Sequence, residues 1–332
     1  MQSHDDLSHR IADRLTAAFQ AEISVRSVRP LVGGACQDGF RVDFEGPDGA
    51  GRLALRSDAR SSLPGSIDRA AEFAVIEAAR AQGALTPAAR WLSADLVRPG
   101  ATAYFVDWLE GEAIGARVTR HPALAAARPA LPAQLATTLA AIHRVTPATH
   151  PTLPIARAPF GRGEHPARAA VGFLRVLLDQ VARPRPAAEA ALRWLADQRL
   201  PPGPPTLVHG DFRTGNFMVG PTGLVGVFDW EFAHWGDPDE DLAWLCVRDW
   251  RFGQVTLPVG GVGHRAPFYA AYGEAAGRPV DPARVHFWEV AGNLRWGSPR
   301  PCRGSATPPR GTTWSCWRSL GAPPRWSTRR CG

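Results

Sequence analysis

The sequence predicts an α+β protein in two lobes, a small antiparallel sheet carrying one inserted helix, followed by a mainly helical lobe. Three observations predict it. Apolar residues recur with period two in several short runs before Gly111, helical periods dominate from His121 onward, and strands return only around one polar run between Leu207 and Phe228. The 332 residues, 45% of them hydrophobic, are enough to bury a core in each lobe.

The elements follow in order. Leu7, Ile11, Leu15 and Phe19 recur every four residues, the stripe of an amphipathic helix over 6–19. Val25, Val28 and Leu31, then Phe40, Val42 and Phe44, then Leu53 and Leu55 read as three strands, with the turn residues Glu45-Gly46-Pro47-Asp48-Gly49 between the last two. A helix is expected from about Ile67 to Ala81, and strands at 89–92 and 103–109. The second lobe should carry helices through Leu135, Leu139 and Ile142 and through Val171, Leu174, Leu178 and Val181. The run Pro201-Pro202-Gly203-Pro204-Pro205 ends that helical stretch, because proline removes a donor and clashes with the preceding turn. Short strands follow at 207–208, 217–219 and 224–228, and helix resumes at Pro238. The resulting division is 1–110 for the small sheet lobe, 111–296 for the mainly helical lobe, and 297–332 for an irregular tail rich in arginine, proline and tryptophan. The tail reads either as a native disordered end or as a frameshifted one, since with GC-rich codons assumed a shifted frame turns 311–331 into a stretch with an amphipathic helix.

Composition excludes several function classes. Seven of the 38 basic residues and none of the 31 acidic ones lie beyond Gly297, so the body of the chain is charge-balanced and no nucleic-acid groove is implied. No stretch of about eighteen apolar residues occurs, and the first fifteen residues are polar. No membrane partner and a cytoplasmic location are therefore expected. The five cysteines show no CxxC spacing, so neither a disulfide framework nor a zinc site is expected. The chain has no lysine, which removes the phosphate loop that depends on one. Any phosphate chemistry here has to use arginine and metal.

The polar run is Val208-His209-Gly210-Asp211-Phe212-Arg213-Thr214-Gly215-Asn216-Phe217, followed by Phe228-Asp229-Trp230-Glu231. The apolar segments on either side of Pro221-Thr222-Gly223 form a hairpin. Asn216 enters it and Asp229 leaves it, so pairing of the strands sets the two side by side at its open end. An amide oxygen beside a carboxylate is an oxygen-donor site suited to magnesium. Asp211, at the end of the preceding strand and five residues before Asn216, leans over the same point from a tight loop containing Gly215 and leaves one carboxylate to orient and deprotonate a hydroxyl while the metal ligands neutralise phosphate charge. His209 has no nucleophile beside it and reads as a scaffold of the loop. Gly33-Gly34, between the first two strands, is either a phosphate-approaching backbone or a plain hairpin turn.

These residues resemble the catalytic and metal-binding motifs of the aminoglycoside phosphotransferase and choline kinase-like family, which has the protein-kinase-like two-lobed fold. The resemblance extends over about 28–296 and includes Gly236-Asp237-Pro238-Asp239-Glu240-Asp241-Leu242-Ala243. It implies an ATP- and magnesium-dependent kinase acting on a hydroxyl of a small molecule. Asp211 would be the base, Asn216 and Asp229 the metal ligands, and Asp237 and Asp241 structural anchors of the following helix. Arg56 would grip the phosphates, held by an ion pair with Glu72, and the base of ATP would lie against backbone groups of Asp107, Trp108 and Leu109. Within the family, HGDFRTGN and FDWE are more similar to kinase domains fused to acyl-CoA dehydrogenases than to drug-resistance enzymes. Helix-end residue His143 receives no chemical role.

Two other readings stand beside this one. A metal-dependent hydrolase would use His209, Asp211, Asp229 and His234 without a nucleotide, and a catalytically silent kinase-fold module would only bind. The sequence specifies neither the acceptor alcohol nor an oligomeric state.

Overall fold

A computed structural model describes residues 2–31, 37–59, 65–156, 165–181 and 184–297. Helix α1 (Gln2–Phe19) opens the chain, followed by strands β1 (Ser24–Pro30), β2 (Gln37–Gly46) and β3 (Gly49–Asp58), helix α2 (Arg69–Ala81) and strands β4 (Ala89–Ala94) and β5 (Thr102–Asp107). The five strands form one antiparallel sheet in the order β1-β2-β3-β5-β4. Glycines Gly46 and Gly49 pair across the two-residue loop Pro47-Asp48, which sets the β2–β3 register.

Side-chain alternation then sorts the sheet's two faces. Leu53 and Leu55 of β3, with Val42 and Phe105, bury against the α1 stripe of Leu7, Ile11 and Leu15. Each such side chain contributes about 1.5–3 kcal/mol by leaving water. Ala54 and Arg56 therefore point the other way, where Ala54 packs with Tyr104, Val106, Val75, Ile76 and Ala79 in the main core. The helix expected at 67–81 is α2, which starts at Arg69 because the Asp68 carboxylate caps it, accepting from Ala71 N at 2.8 Å.

The rest is mainly helical: α3 (Gly115–Arg120), α4 (Leu131–His143), α5 (Pro166–Asp179) and α6 (Pro186–Asp197). Strands β6 (Thr206–Val208), β7 (Phe217–Gly220), β8 (Gly223–Val227) and β9 (His234–Gly236) interrupt it before α7 (Asp239–Cys246), α8 (Arg265–Ala276) and α9 (Pro282–Gly297). Helix α4 is the buried centre, with Leu135, Leu139 and Ile142 fully enclosed and α8 against it. Strands β7 and β8 form the expected hairpin, and Gln134 of α4 holds its tip by accepting from Leu224 N at 2.8 Å.

The structure differs from the sequence reading in three places. Strand β9 pairs antiparallel with β6, although three residues are too few to show a period. Helix α6 was covered only by the general helical expectation. Strand β6 ends at Val208, so Asp211 stands three residues beyond it, on a loop. The Gly33-Gly34 site and the tail after Gly297 lie outside the described residues. Among the described residues, no helix is long and apolar enough to cross a membrane.

Candidate active site

The hairpin β7–β8 does what its sequence requires. Phe217 pairs with Val227, and one step further out Phe228 N donates to Asn216 O at 3.0 Å. Asp229, the next residue, adopts a left-handed φ of 71°. That conformation is uncommon outside glycine, costs about 1–3 kcal/mol, and turns the chain sharply out of the strand. Asn216 donates its amide N–H to Asp211 Oδ2 at 2.7 Å and to Asp211 O at 3.0 Å. With the nitrogen so engaged, Asn216 presents its amide oxygen as the remaining acceptor. Asp211 also accepts from Trp244 Nε1 at 2.7 Å and from Arg213 Nε at 3.1 Å.

The loop that carries Asp211 is anchored from below. Buried Asp241 accepts from His209 N at 2.7 Å and Gly210 N at 3.0 Å, and its Oδ2 is 3.2 Å from His143 Nε2. Burial raises its pKa, but the hydrogen bonds and charges of His143 and His209 outweigh that and hold it below the usual aspartate value. His209 Nδ1 accepts from Asp211 N at 3.3 Å, which makes Nε2–H the donor to Phe228 O at 3.2 Å. One imidazole thus ties the loop to the far strand of the hairpin, and its ring packs on Trp230 at 4.6 Å. Burial depresses the His209 pKa despite the nearby carboxylates. Asp237 accepts from Asp239 N at 3.1 Å and Trp288 Nε1 at 3.0 Å and pairs with Arg284, which fixes α9 to α7.

Across the cleft, Arg56 Nη2 donates to Glu72 Oε1 at 2.8 Å and to Asp229 Oδ1 at 3.2 Å. Glu72 is 0% exposed and the Arg56 side chain 17%, so these are not solvated surface charges. Arg69 is the second cation on Glu72, and Asp58 accepts from Arg69 N at 3.1 Å. Arg56 Nε is buried without a hydrogen-bond partner among the described residues. A buried, orphaned guanidinium donor at this point fits a phosphate oxygen. The oxygen donors of Asn216 and Asp229 fit a hard divalent cation.

In the connecting segment one backbone donor is already engaged. Asp107 N donates to Ala88 O at 3.2 Å and its carboxylate pairs with Arg90, so its amide is not available to a base. Trp108 lies with its ring 5.4 Å from the guanidinium carbons of both Arg41 and Arg52. Leu109 reaches toward Gly226 on β8, where an added Cβ would stand 2.9 Å from its side chain. Glu112 and Val219 then exchange backbone hydrogen bonds of 2.9 and 3.0 Å, which joins the segment to β7.

The two histidines of the hydrolase reading are turned to other partners. His234 has Nδ1 2.9 Å from Phe232 O and Nε2 3.2 Å from Glu240, and both nitrogens of His209 are engaged by backbone. Among the described residues no cluster of three His, Cys, Asp or Glu could hold a metal. Sequence reasoning missed Trp244, Arg213, Arg69 and His143. Only Trp244 carried a signal: it stands three residues after Asp241 on one helix, so the two share a face.

The profile of the phosphotransferase enzyme family, APH, matches residues 27–288, and the chain belongs to that family. It is 39% identical over 64 residues to mouse (Mus musculus) acyl-CoA dehydrogenase family member 10 and 35% identical over 109 residues to chicken (Gallus gallus) acyl-CoA dehydrogenase family member 11. Those stretches cover 19% and 31% of this chain but only 6% and 14% of the two relatives. Among solved structures it is similar to a Ralstonia eutropha JMP134 protein assigned as an aminoglycoside phosphotransferase, with a TM-score of 0.61 at 19% identity over 85% of each chain. The GDP complex of aminoglycoside 2′-phosphotransferase-IIIa gives 0.56 at 16% identity, covering 87% of this chain and 89% of that one. Macrolide 2′-phosphotransferase type I gives 0.56 at 19% identity, covering 86% and 88%. The two-lobed, kinase-like α+β architecture is therefore shared with these solved phosphotransferases.

Proposed function

We propose that the chain transfers the terminal phosphoryl group of ATP to a hydroxyl of a small molecule, with magnesium held by Asn216 and Asp229. The observation that supports this reading is two side-chain pairs at the open end of one hairpin: Asn216 with Asp211 at 2.7 Å, and Asp229 with Arg56 at 3.2 Å. The hairpin register links the pairs, since Phe228 N donates to Asn216 O one residue before Asp229. The relative whose structure is a GDP complex supports a nucleotide as the donor.

A bound magnesium ion would supply charge neutralisation for the transferred group. The chain's own residues do the rest. Asp211, steadied by Trp244 and Arg213, accepts the acceptor's hydroxyl proton at a carboxylate oxygen. Arg56, oriented by Glu72, directs its unused Nε toward the phosphates. Trp108 and Leu109 offer backbone groups to the base. Asp241, His209 and Asp237 set no chemistry themselves and hold the loop and helices in register.

The test is ADP release by the purified chain with ATP and magnesium against hydroxylated metabolites, aminoglycosides, macrolides and hydroxyacyl-CoA compounds. At least one acceptor should support turnover, and Asp211→Asn should lower kcat by about 100-fold or more with the fold intact by circular dichroism. Full activity in Asp211→Asn, or no nucleotide binding by the wild-type chain, overturns the reading.

A further inference from the structure

We infer that Arg56 is a latch that blocks the metal position on Asp229 until a nucleotide arrives, so that metal and nucleotide load together. The inference rests on the proposed nucleotide and metal roles and adds an order to them. A single nitrogen, Arg56 Nη2, is shared between Glu72 at 2.8 Å and Asp229 at 3.2 Å. A guanidinium this close to Asp229 Oδ1 opposes a divalent cation in two ways, by occupying the approach to that oxygen and by like-charge repulsion in a poorly solvated cleft.

The same side chain holds the release. Its Nε is buried without a hydrogen-bond partner among the described residues, which is a standing cost that an incoming phosphate oxygen relieves. Of the two carboxylates on Nη2, Glu72 is fully enclosed and closer, whereas the Asp229 side chain is 28% exposed. Glu72 is also fixed by Arg69 on its second oxygen. When Arg56 turns its Nε edge toward phosphate, the contact with Glu72 persists and the longer contact with Asp229 opens. The Asp229 Oδ1 that Arg56 vacates then takes the metal beside Asn216. An arginine suits this better than an amine, because its separate donors can hold Glu72 and phosphate at once.

Manganese binding followed by electron paramagnetic resonance tests the latch without turnover. Wild-type chain alone should bind manganese weakly, and Arg56→Gln should bind it about tenfold more tightly in the absence of nucleotide, while losing affinity for the manganese–nucleotide complex. The double variant Arg56→Gln/Glu72→Gln removes the carboxylate left under-paired in the single variant and should show the same gain if the single variant does not fold. Wild-type crystals soaked in manganese alone should show no anomalous peak at Asp229. Equal manganese affinity in wild type and variants, or a peak at Asp229 with Arg56 displaced, overturns the latch. If wild type binds the manganese–nucleotide complex while these outcomes hold, the latch fails alone; if it binds no nucleotide, the kinase reading fails with it.

Discussion

Trp244 donates its indole N–H to Asp211 Oδ1 at 2.7 Å, so a tryptophan of α7 reads the position of the proposed base directly. The ring is itself clamped, 5.6 Å from Trp250 and 6.4 Å from Trp296, with Arg295 4.9 Å above it. Trp244→Phe keeps most of that packing and deletes one donor. A hydrogen bond to a charged group is worth about 1.5–3 kcal/mol, so kcat should fall about tenfold or more if the bond steadies Asp211 during transfer. The KM for nucleotide should not move, because Arg56 and the residues near Trp108 are untouched. Steady-state kinetics that show an unchanged kcat would remove Trp244 from the site.

That contact also marks where the sequence stops being informative. Local periodicity made the five-stranded sheet and its two faces legible, since Leu53 and Leu55 alternate with Ala54 and Arg56. Chain connectivity alone made the meeting of Asn216 and Asp229 legible, because a hairpin joins its two ends whatever surrounds it. The partners of Asp211 and Asp241 were not legible. Trp244 is 33 residues from Asp211 and His143 is 98 from Asp241, and both sit on apolar helix faces where an aromatic ring or imidazole reads as core. Only tertiary packing decides that their single polar edges point at a carboxylate. The use of the Asp107 amide was not legible for a related reason: whether Ala88 engaged it depended on where β4 ran, and that strand is irregular between Arg90 and Ser93.

Gly210 is fixed by backbone geometry. Its φ is 77°, and an added Cβ would stand 2.3 Å from Phe232 O. Gly210→Ala therefore meets a left-handed penalty of about 1–3 kcal/mol together with a clash against a carbonyl that cannot rotate away. The Gly210 N–H that reaches Asp241 at 3.0 Å would shift with it. Chemical denaturation should show at least that loss of stability. The residual folded enzyme should be slowed in kcat, because the displaced residue precedes Asp211. A variant as stable and active as wild type would show that the loop takes another path.

Two buried histidines should tilt the stability of the protein in opposite directions with pH. Burial depresses His209, so it stays neutral in the fold at pH values where the unfolded chain takes up a proton. Its contribution is full above the ordinary histidine value of about 6.5 and declines as pH falls below that toward the depressed folded value. His234 has the reverse sign. Burial would lower it too, but the charge of Glu240 and the contact between them at 3.2 Å outweigh burial and raise it. Its contribution is full below about 6.5 and is lost as pH rises through the raised folded value. Urea denaturation of wild type across this range gives the reference slope. His209→Gln should flatten the acid-side decline, and His234→Gln should flatten the loss on the neutral-to-alkaline side. The slopes separate these effects from the uniform cost of the hydrogen bonds that either substitution removes, since that cost does not vary with pH. Wild-type slopes in both variants would place the protonation changes on other groups.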